Sequence, residues 1–142
     1  MYLNIANRGR YAILYSMADN HQEWLAQAEY DFQTAEFMFS GGRYVYTVFM
    51  IHLAIEKALK GACQKRFNAI QPRTHNLIYF VNKIEAVPPE HIKEFLAELN
   101  QASLATRYPQ NLIKLQSVYT KDLVTKLLVT AKETLEWVKK TS

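Results

Sequence analysis

The sequence predicts an all-α protein, an antiparallel up-and-down helical bundle that resembles a four-helix bundle and has three long and two shorter helices. Three observations lead to this fold class. The chain has 142 residues, a length that suits a single domain. It contains only 4 glycines and 4 prolines, so residues that form turns are scarce. Apolar residues recur at helical spacing in several segments, and no segment shows the alternation of a β-strand.

The helical pattern divides the chain into two parts. Residues 1–18 lack a clear helical period, and we expect them to form an N-terminal extension that packs on the bundle or on a partner. We expect the bundle itself to cover residues 19–142.

Capping residues and glycines place the first two helices. Asp19 or Asn20, each followed three residues later by a glutamine or glutamate, caps the first long helix. This helix ends at Ser40, before two glycines that can adopt the left-handed conformation. A second long helix covers about Tyr44 to Arg66.

Three more helices follow in the second half of the chain. Thr74 caps a short third helix, and Pro89 suits the first turn of a fourth. Tyr108-Pro109 ends the fourth helix, because proline disfavours a helical conformation in the residue before it. The last long helix covers about Thr120 to Lys139. The core-facing residues expected in these helices are Leu77, Phe80, Val81, Ile84, Ile92, Leu96, Leu99, Leu123, Leu127, Ala131, Leu135 and Val138.

Composition excludes several classes of function. Lys+Arg 17 against Asp+Glu 13 gives a net charge of +4, which without a basic cluster is weak support for nucleic-acid binding. No apolar run reaches the roughly 20 residues that a transmembrane helix needs. The single cysteine, Cys63, excludes an internal disulfide and fits a reducing cytoplasm, where we expect the protein to reside. We expect Cys63 to be a small buried apolar residue. The sequence has no glycine-rich phosphate loop and no nucleophile elbow.

One acidic residue lies inside the apolar stripe of the first helix. Asp31 projects into the same arc as Trp24, Ala28, Ala35 and Phe39. An unpaired carboxylate there would cost several kcal/mol, so we expect Asp31 to meet a basic residue.

The second helix carries a stripe of polar residues within a wide apolar band. His52, Glu56 and Lys60 follow one another at four-residue spacing, while Lys57 points to a polar wedge with Gly61 and Gln64. Two interpretations stay open for the stripe: a Glu56–Lys60 ion pair beside a satisfied core histidine, or a polar groove at a ligand or subunit boundary. His52 and Glu56 could supply two metal ligands, but no third ligand is specified, so we expect neither a metal nor a cofactor.

The chain from Trp24 to about Val138 resembles the HEPN family. No single stretch is specific, but five occur in order with compatible spacing. They are Trp24-Leu-Ala-Gln-Ala-Glu-Tyr-Asp-Phe-Gln-Thr-Ala35, Gly42-Arg-Tyr, Ile51-His-Leu-Ala-Ile-Glu-Lys-Ala-Leu-Lys-Gly61, Pro72-Arg-Thr-His-Asn-Leu77 and Arg107-Tyr-Pro109. The recurrent polar positions of the family fall on Asp31, Glu56, Lys57, Lys60, His75, Arg107 and Tyr108.

The resemblance implies a helical bundle that commonly forms a homodimer, and it implies either of two functions. Many small members are partners of a minimal nucleotidyltransferase, often as a toxin–antitoxin-like pair. Others are metal-independent ribonucleases, in which an arginine is followed after four to six residues by a histidine. In such a motif the histidine handles the 2′-hydroxyl proton or the leaving group, and the arginine stabilises the charge on the phosphorane.

This sequence departs from the ribonuclease motif, because no histidine follows Arg107 at that spacing. A catalytic arrangement would need His75 to approach Arg107 through folding. Otherwise we interpret Arg107 as a clamp for a phosphate or carboxylate, or as the partner of Asp31 or Glu56 in an ion pair.

The preferred interpretation is a non-catalytic HEPN subunit that works with a minimal nucleotidyltransferase. We expect it to bind nucleotide or RNA phosphate near Lys57, Lys60, His75, Arg107 and Tyr108. The alternatives are a metal-independent ribonuclease toxin that uses Arg107 and a module that serves only oligomerisation.

Overall fold

The computed structural model describes residues 20–69 and 71–141. The predicted extension at 1–18 and the alternative cap Asp19 lie outside these ranges. The described part is all-helical, which confirms the predicted fold class. Its helices are α1 (His21–Ser40), α2 (Tyr44–Phe67), α3 (Leu77–Lys83), α4 (Glu90–Arg107), α5 (Leu112–Val118) and α6 (Lys121–Thr141). No helix in these ranges is both long enough and apolar enough to cross a membrane.

The helix count differs from the prediction in two respects. Helix α4 has 18 residues, so the described residues form four long helices and not three. The 7-residue helix α5 was not predicted, and none of its residues is buried. Prediction of a helix from apolar spacing requires an apolar face that packs against a core, and α5 lacks such a face.

The caps explain where the helices begin. The side-chain oxygen of Asn20 accepts a hydrogen bond from the Gln22 amide at 2.8 Å, which confirms one of the two predicted caps of α1. Asn76, and not Thr74, caps α3: its Oδ1 accepts from the Ile78 amide at 3.1 Å. The Thr74 hydroxyl accepts from the amide of Asn76 itself, and therefore shapes the turn before the helix.

Helix α2 is the central helix of the bundle. It packs against α1, α3, α4 and α6, and more than half of its 24 residues are buried. Gly61 lies close to α1, since a Cβ atom there would lie 3.0 Å from Trp24 Cβ. Lys57 and Gly61 therefore contact α1, and Gln64 is buried, so the predicted wedge does not form an outer polar face.

Candidate functional site

Asp31 forms the ion pair that its position predicted. Its Oδ2 lies 2.8 Å from Nζ of Lys57, on the α2 face that contacts α1. Only 6% of Asp31 is exposed, so the lysine compensates a carboxylate that would otherwise be buried without a charge partner. This ion pair joins α1 to α2, and the two charges neutralise each other.

Glu56 is the centre of a second polar cluster. It is 3% exposed, and its two carboxylate oxygens have different partners. One accepts from Nζ of Lys60 at 3.3 Å, as the structural interpretation of the stripe required. The other lies 2.6 Å from Nδ1 of His75, which comes from the segment before α3. Glu56 therefore links a residue of its own helix to a residue 19 positions away.

His75 lies between Glu56 and Arg107. Its Nε2 is 3.3 Å from Nη1 of Arg107 in the last turn of α4. A carboxylate only accepts hydrogen bonds and a guanidinium only donates them. The contacts therefore define a neutral imidazole with the proton on Nδ1, so that Nε2 accepts from Arg107. Folding brings together the two residues that the sequence places 32 positions apart.

His52, on the same helix as Glu56, contacts the main chain of His75 from the buried side. The ring is fully buried, and Nε2 donates to the main-chain carbonyl of His75 at 3.0 Å. Its Nδ1 is buried and has no hydrogen-bond partner among the residues that the structure describes. Burial lowers the pKa of His52 below its usual value, although Glu56 and the bond to the His75 carbonyl act in the opposite direction. The stripe on α2 thus contains the predicted Glu56–Lys60 ion pair, beside a buried histidine of which one ring nitrogen, Nε2, has a partner in the described residues.

Arg107 is held by an aromatic ring and not by a carboxylate. Its guanidinium carbon lies 5.2 Å from the centroid of the Phe49 ring, in cation–π contact. Within the described ranges it forms an ion pair with neither Asp31 nor Glu56, because Asp31 takes Lys57 while Glu56 takes Lys60 and His75. The ion-pair interpretation of Arg107 is therefore wrong. Phe49 was not singled out by the sequence, where it belonged only to the wide apolar band of α2.

The other predicted binding residues, Lys60, Tyr108 and Lys57, have different surroundings from His75 and Arg107. Lys60 is 13% exposed and its ammonium also contacts the rings of Trp24 and Phe80. Tyr108 is 70% exposed and lines a groove of about 430 Å³ between α4 and α5. Lys57 faces α1 with Asp31. Of the five predicted binding residues, His75 and Arg107 are therefore the two that contact each other, and we call them the His75–Arg107 site.

Other candidate chemistry is limited in the residues that the structure describes. No group of three or more His, Cys, Asp or Glu side chains is arranged to hold a metal ion there. Cys63 is buried, as predicted, and burial raises the pKa of its thiol. It contacts the carbonyl oxygen of Phe80 at 3.8 Å.

Comparisons with known proteins agree with this fold. The HEPN domain model matches residues 21–141, and the chain therefore belongs to the HEPN family. The crystal structure of ST0689, an archaeal HEPN homologue, is 26% identical with a TM-score of 0.68, over 85% of this chain and 96% of that one. The crystal structure of TT1696 from Thermus thermophilus is 22% identical with a TM-score of 0.70, over 87% and 99%. A search of curated proteins finds no match.

Proposed function

We propose that this HEPN protein binds the phosphate of a nucleotide or RNA at the His75–Arg107 site, without catalysing a reaction, as the partner subunit of a minimal nucleotidyltransferase. The observation that carries the binding proposal is the 3.3 Å contact between His75 and Arg107, at a place where the His75 side chain is 55% exposed. Family membership supports the nucleotidyltransferase partner, the homodimer and the toxin–antitoxin-like role.

The charge of Arg107 is available to a ligand. No carboxylate in the described residues neutralises it, and the Phe49 ring orients the guanidinium without cancelling its charge. A guanidinium presents a planar set of donors that matches phosphate oxygens. Arg107 is partly buried, and in the described residues its buried Nη2 has no partner, so it supplies a positive charge and an unused donor beside the exposed imidazole of His75.

His75 adds a group that can adjust to the ligand. In the structure its Nε2 accepts from Arg107. A protonated Nε2 would instead donate to a phosphate oxygen, while Glu56 keeps its contact with Nδ1. Glu56 therefore fixes the orientation of the imidazole.

Calorimetry with inorganic phosphate, AMP and a short RNA oligonucleotide tests binding. We expect Arg107→Gln to weaken binding about tenfold or more, since a charge-assisted hydrogen bond contributes roughly 1.5–3 kcal/mol. The matched control is Lys93→Gln, which removes the same charge from an exposed position of α4. Equal losses in the two variants would reduce the effect to net charge, and no binding by the unmodified protein would refute the proposal.

The nucleotidyltransferase partner needs its own test. We expect co-expression with the small nucleotidyltransferase encoded next to this protein to give a complex that survives size-exclusion chromatography. Absence of such a gene, or separate elution of the two proteins, would contradict the partner role.

One observation favours a second function, that of a metal-independent ribonuclease. Glu56, His75 and Arg107 form a continuous chain in which Nε2 of His75 carries no proton and can accept one. In this reaction the 2′-oxygen attacks phosphorus and its proton passes to Nε2. The P–O5′ bond breaks, and the leaving oxygen takes a proton from water while Arg107 stabilises the phosphorane. RNA cleavage in EDTA that disappears in both His75→Gln and Arg107→Gln would replace the non-catalytic proposal with this one.

A further inference from the structure

Two hydrogen bonds hold the main chain directly after His75, on either side of Asn76, and they come from different helices. On one side His52 of α2 donates to the His75 carbonyl at 3.0 Å. On the other, Oδ1 of Asn100 in α4 accepts from the Leu77 amide at 2.9 Å. The position of the imidazole is therefore set by contacts to neighbouring peptide groups as well as by Glu56.

Both the oxygen and the nitrogen of the Asn100 side-chain amide form hydrogen bonds with the residues that follow His75. Its Nδ2 donates to Oδ1 of Asn76 at 2.9 Å, while its own Oδ1 accepts from Leu77. The same Asn76 oxygen caps α3 by accepting from the Ile78 amide. An amide nitrogen cannot accept these bonds, so the contacts fix the orientation of both asparagine side chains. Asn100 thus joins α4 to the cap of α3.

Asn100 and Arg107 lie on one face of α4. They are seven residues apart, which is about two helical turns and leaves them only about 20° apart around the axis. One rigid helix therefore carries both the anchor of the His75 segment and the guanidinium that contacts His75. Their relative position depends on the helix and not on a flexible connection.

We propose that Asn100 is a positioning residue that sets the place of His75 relative to Arg107 in the phosphate site. This inference rests on the proposed function for its ligand, but the placement of His75 can be measured without a ligand. Asn100 acts through the main chain at Leu77 and the cap at Asn76, and it does not touch the phosphate. His52 holds the preceding peptide group, through the His75 carbonyl.

The test compares Asn100→Ala, Asn100→Asp and the control Gln101→Ala in the full chain. Asn100→Ala removes both bonds, whereas Asn100→Asp keeps an acceptor for Leu77 and loses the donor to Asn76. Gln101 is exposed on the same helix. NMR measures the ring ¹⁵N shifts of His75 and the hydrogen exchange of the Leu77 amide, and calorimetry measures inorganic phosphate binding.

We expect Asn100→Ala to increase Leu77 exchange more than about tenfold while core amides of α2 stay protected. The ¹⁵N shifts of Nδ1 and Nε2 of His75 should become more alike, because the ring no longer keeps one tautomer. Phosphate affinity should fall about tenfold. Asn100→Asp should lie between Asn100→Ala and the unmodified protein, and Gln101→Ala should match the latter. If Asn100→Ala does not fold, Asn100→Asp provides the same test.

Unchanged His75 shifts in the Asn100 variants would overturn the positioning role, as would unchanged phosphate affinity in a protein that binds phosphate. If the unmodified protein binds no phosphate but the Asn100 variants alter the His75 shifts, the proposed function fails and the positioning role stands. The two proposals therefore fail in different ways.

Discussion

Asp31 and Glu56 are both nearly buried carboxylates at the centre of the bundle, but they have different surroundings. Asp31 forms an ion pair with Lys57 between α1 and α2, and the two charges neutralise each other. Glu56 meets Lys60 and then continues through His75 to Arg107 at the surface. The first pair joins two helices. The second orients an exposed imidazole, and this difference separates a structural ion pair from the proposed phosphate site.

The largest expected effect comes from Glu56→Gln. We expect unfolding free energy to fall by about 3 kcal/mol, because Lys60 keeps its charge in a mostly apolar surrounding. Phosphate affinity should fall as well, since His75 loses the carboxylate that orients its imidazole. Urea denaturation and calorimetry measure the two effects. Retained phosphate affinity would show that Glu56, like Asp31, has only a structural role.

Asp31→Asn should separate the two regions. We expect a stability loss of about 1–2 kcal/mol, smaller than for Glu56→Gln because the Lys57 side chain is 21% exposed and can reach water. Phosphate affinity should stay unchanged, because the contacts of Asp31 do not reach His75. The same urea and calorimetric measurements apply. A loss of affinity as large as that of Glu56→Gln would mean that the two clusters form one site.

Gly61→Ala tests the helix contact that contains the Asp31–Lys57 pair. The added Cβ would meet Trp24 Cβ at 3.0 Å and the His21 carbonyl oxygen at 3.2 Å. Overpacking of roughly 1–3 kcal/mol outweighs the gain of up to about 1 kcal/mol in helix propensity. We expect a net loss of about 1 kcal/mol by urea denaturation. Gly41→Ala is the control, since its Cβ would meet no atom closer than 3.7 Å. Equal stability of the two variants would contradict the close approach.

The smallest expected effect concerns the pH dependence of stability. Burial lowers the pKa of His52 in the folded protein, against the opposing effect of Glu56 and with Arg107 and His75 acting in the same direction as burial. Below about pH 6.5 the unfolded chain therefore binds a proton that the folded protein refuses, and stability falls as pH falls. His52→Gln keeps a donor for the His75 carbonyl and should reduce this slope. His91→Gln, at an exposed position, should retain it, and an unchanged slope in His52→Gln would assign the effect elsewhere.

Much of the helical framework could be predicted from local signals. The cap at Asn20 and the helix break at Tyr108 depend on residues close in sequence, and both were found. The base that meets Asp31 could be expected as a class, because a buried carboxylate needs a cation, but Lys57 could not be named from the sequence. The wide apolar band of α2 places that helix either near the centre of the bundle or between subunits, and within the described residues it lies at the centre of the bundle.

The site itself depended on contacts that no local pattern encodes. His75 and Arg107 belong to different elements, and only folding brings them together. Asn100 left a usable signal, because it interrupts the apolar side of α4 one turn after Leu96. Gly61 was assigned to a polar wedge because its small size fits exposure and close helix packing equally well.

The anchors of the His75 segment hold peptide groups, and a peptide group is the same whichever side chain it carries. His52 would still bind the carbonyl of residue 75, and Asn100 the amide of Leu77, if another amino acid stood at position 75. Aspartate there would neutralise Arg107, while alanine would remove the acceptor that Nη1 of Arg107 contacts. The bundle therefore separates the placement of this position from the identity of its residue, so that one substitution can change the chemistry of the surface without rebuilding the scaffold.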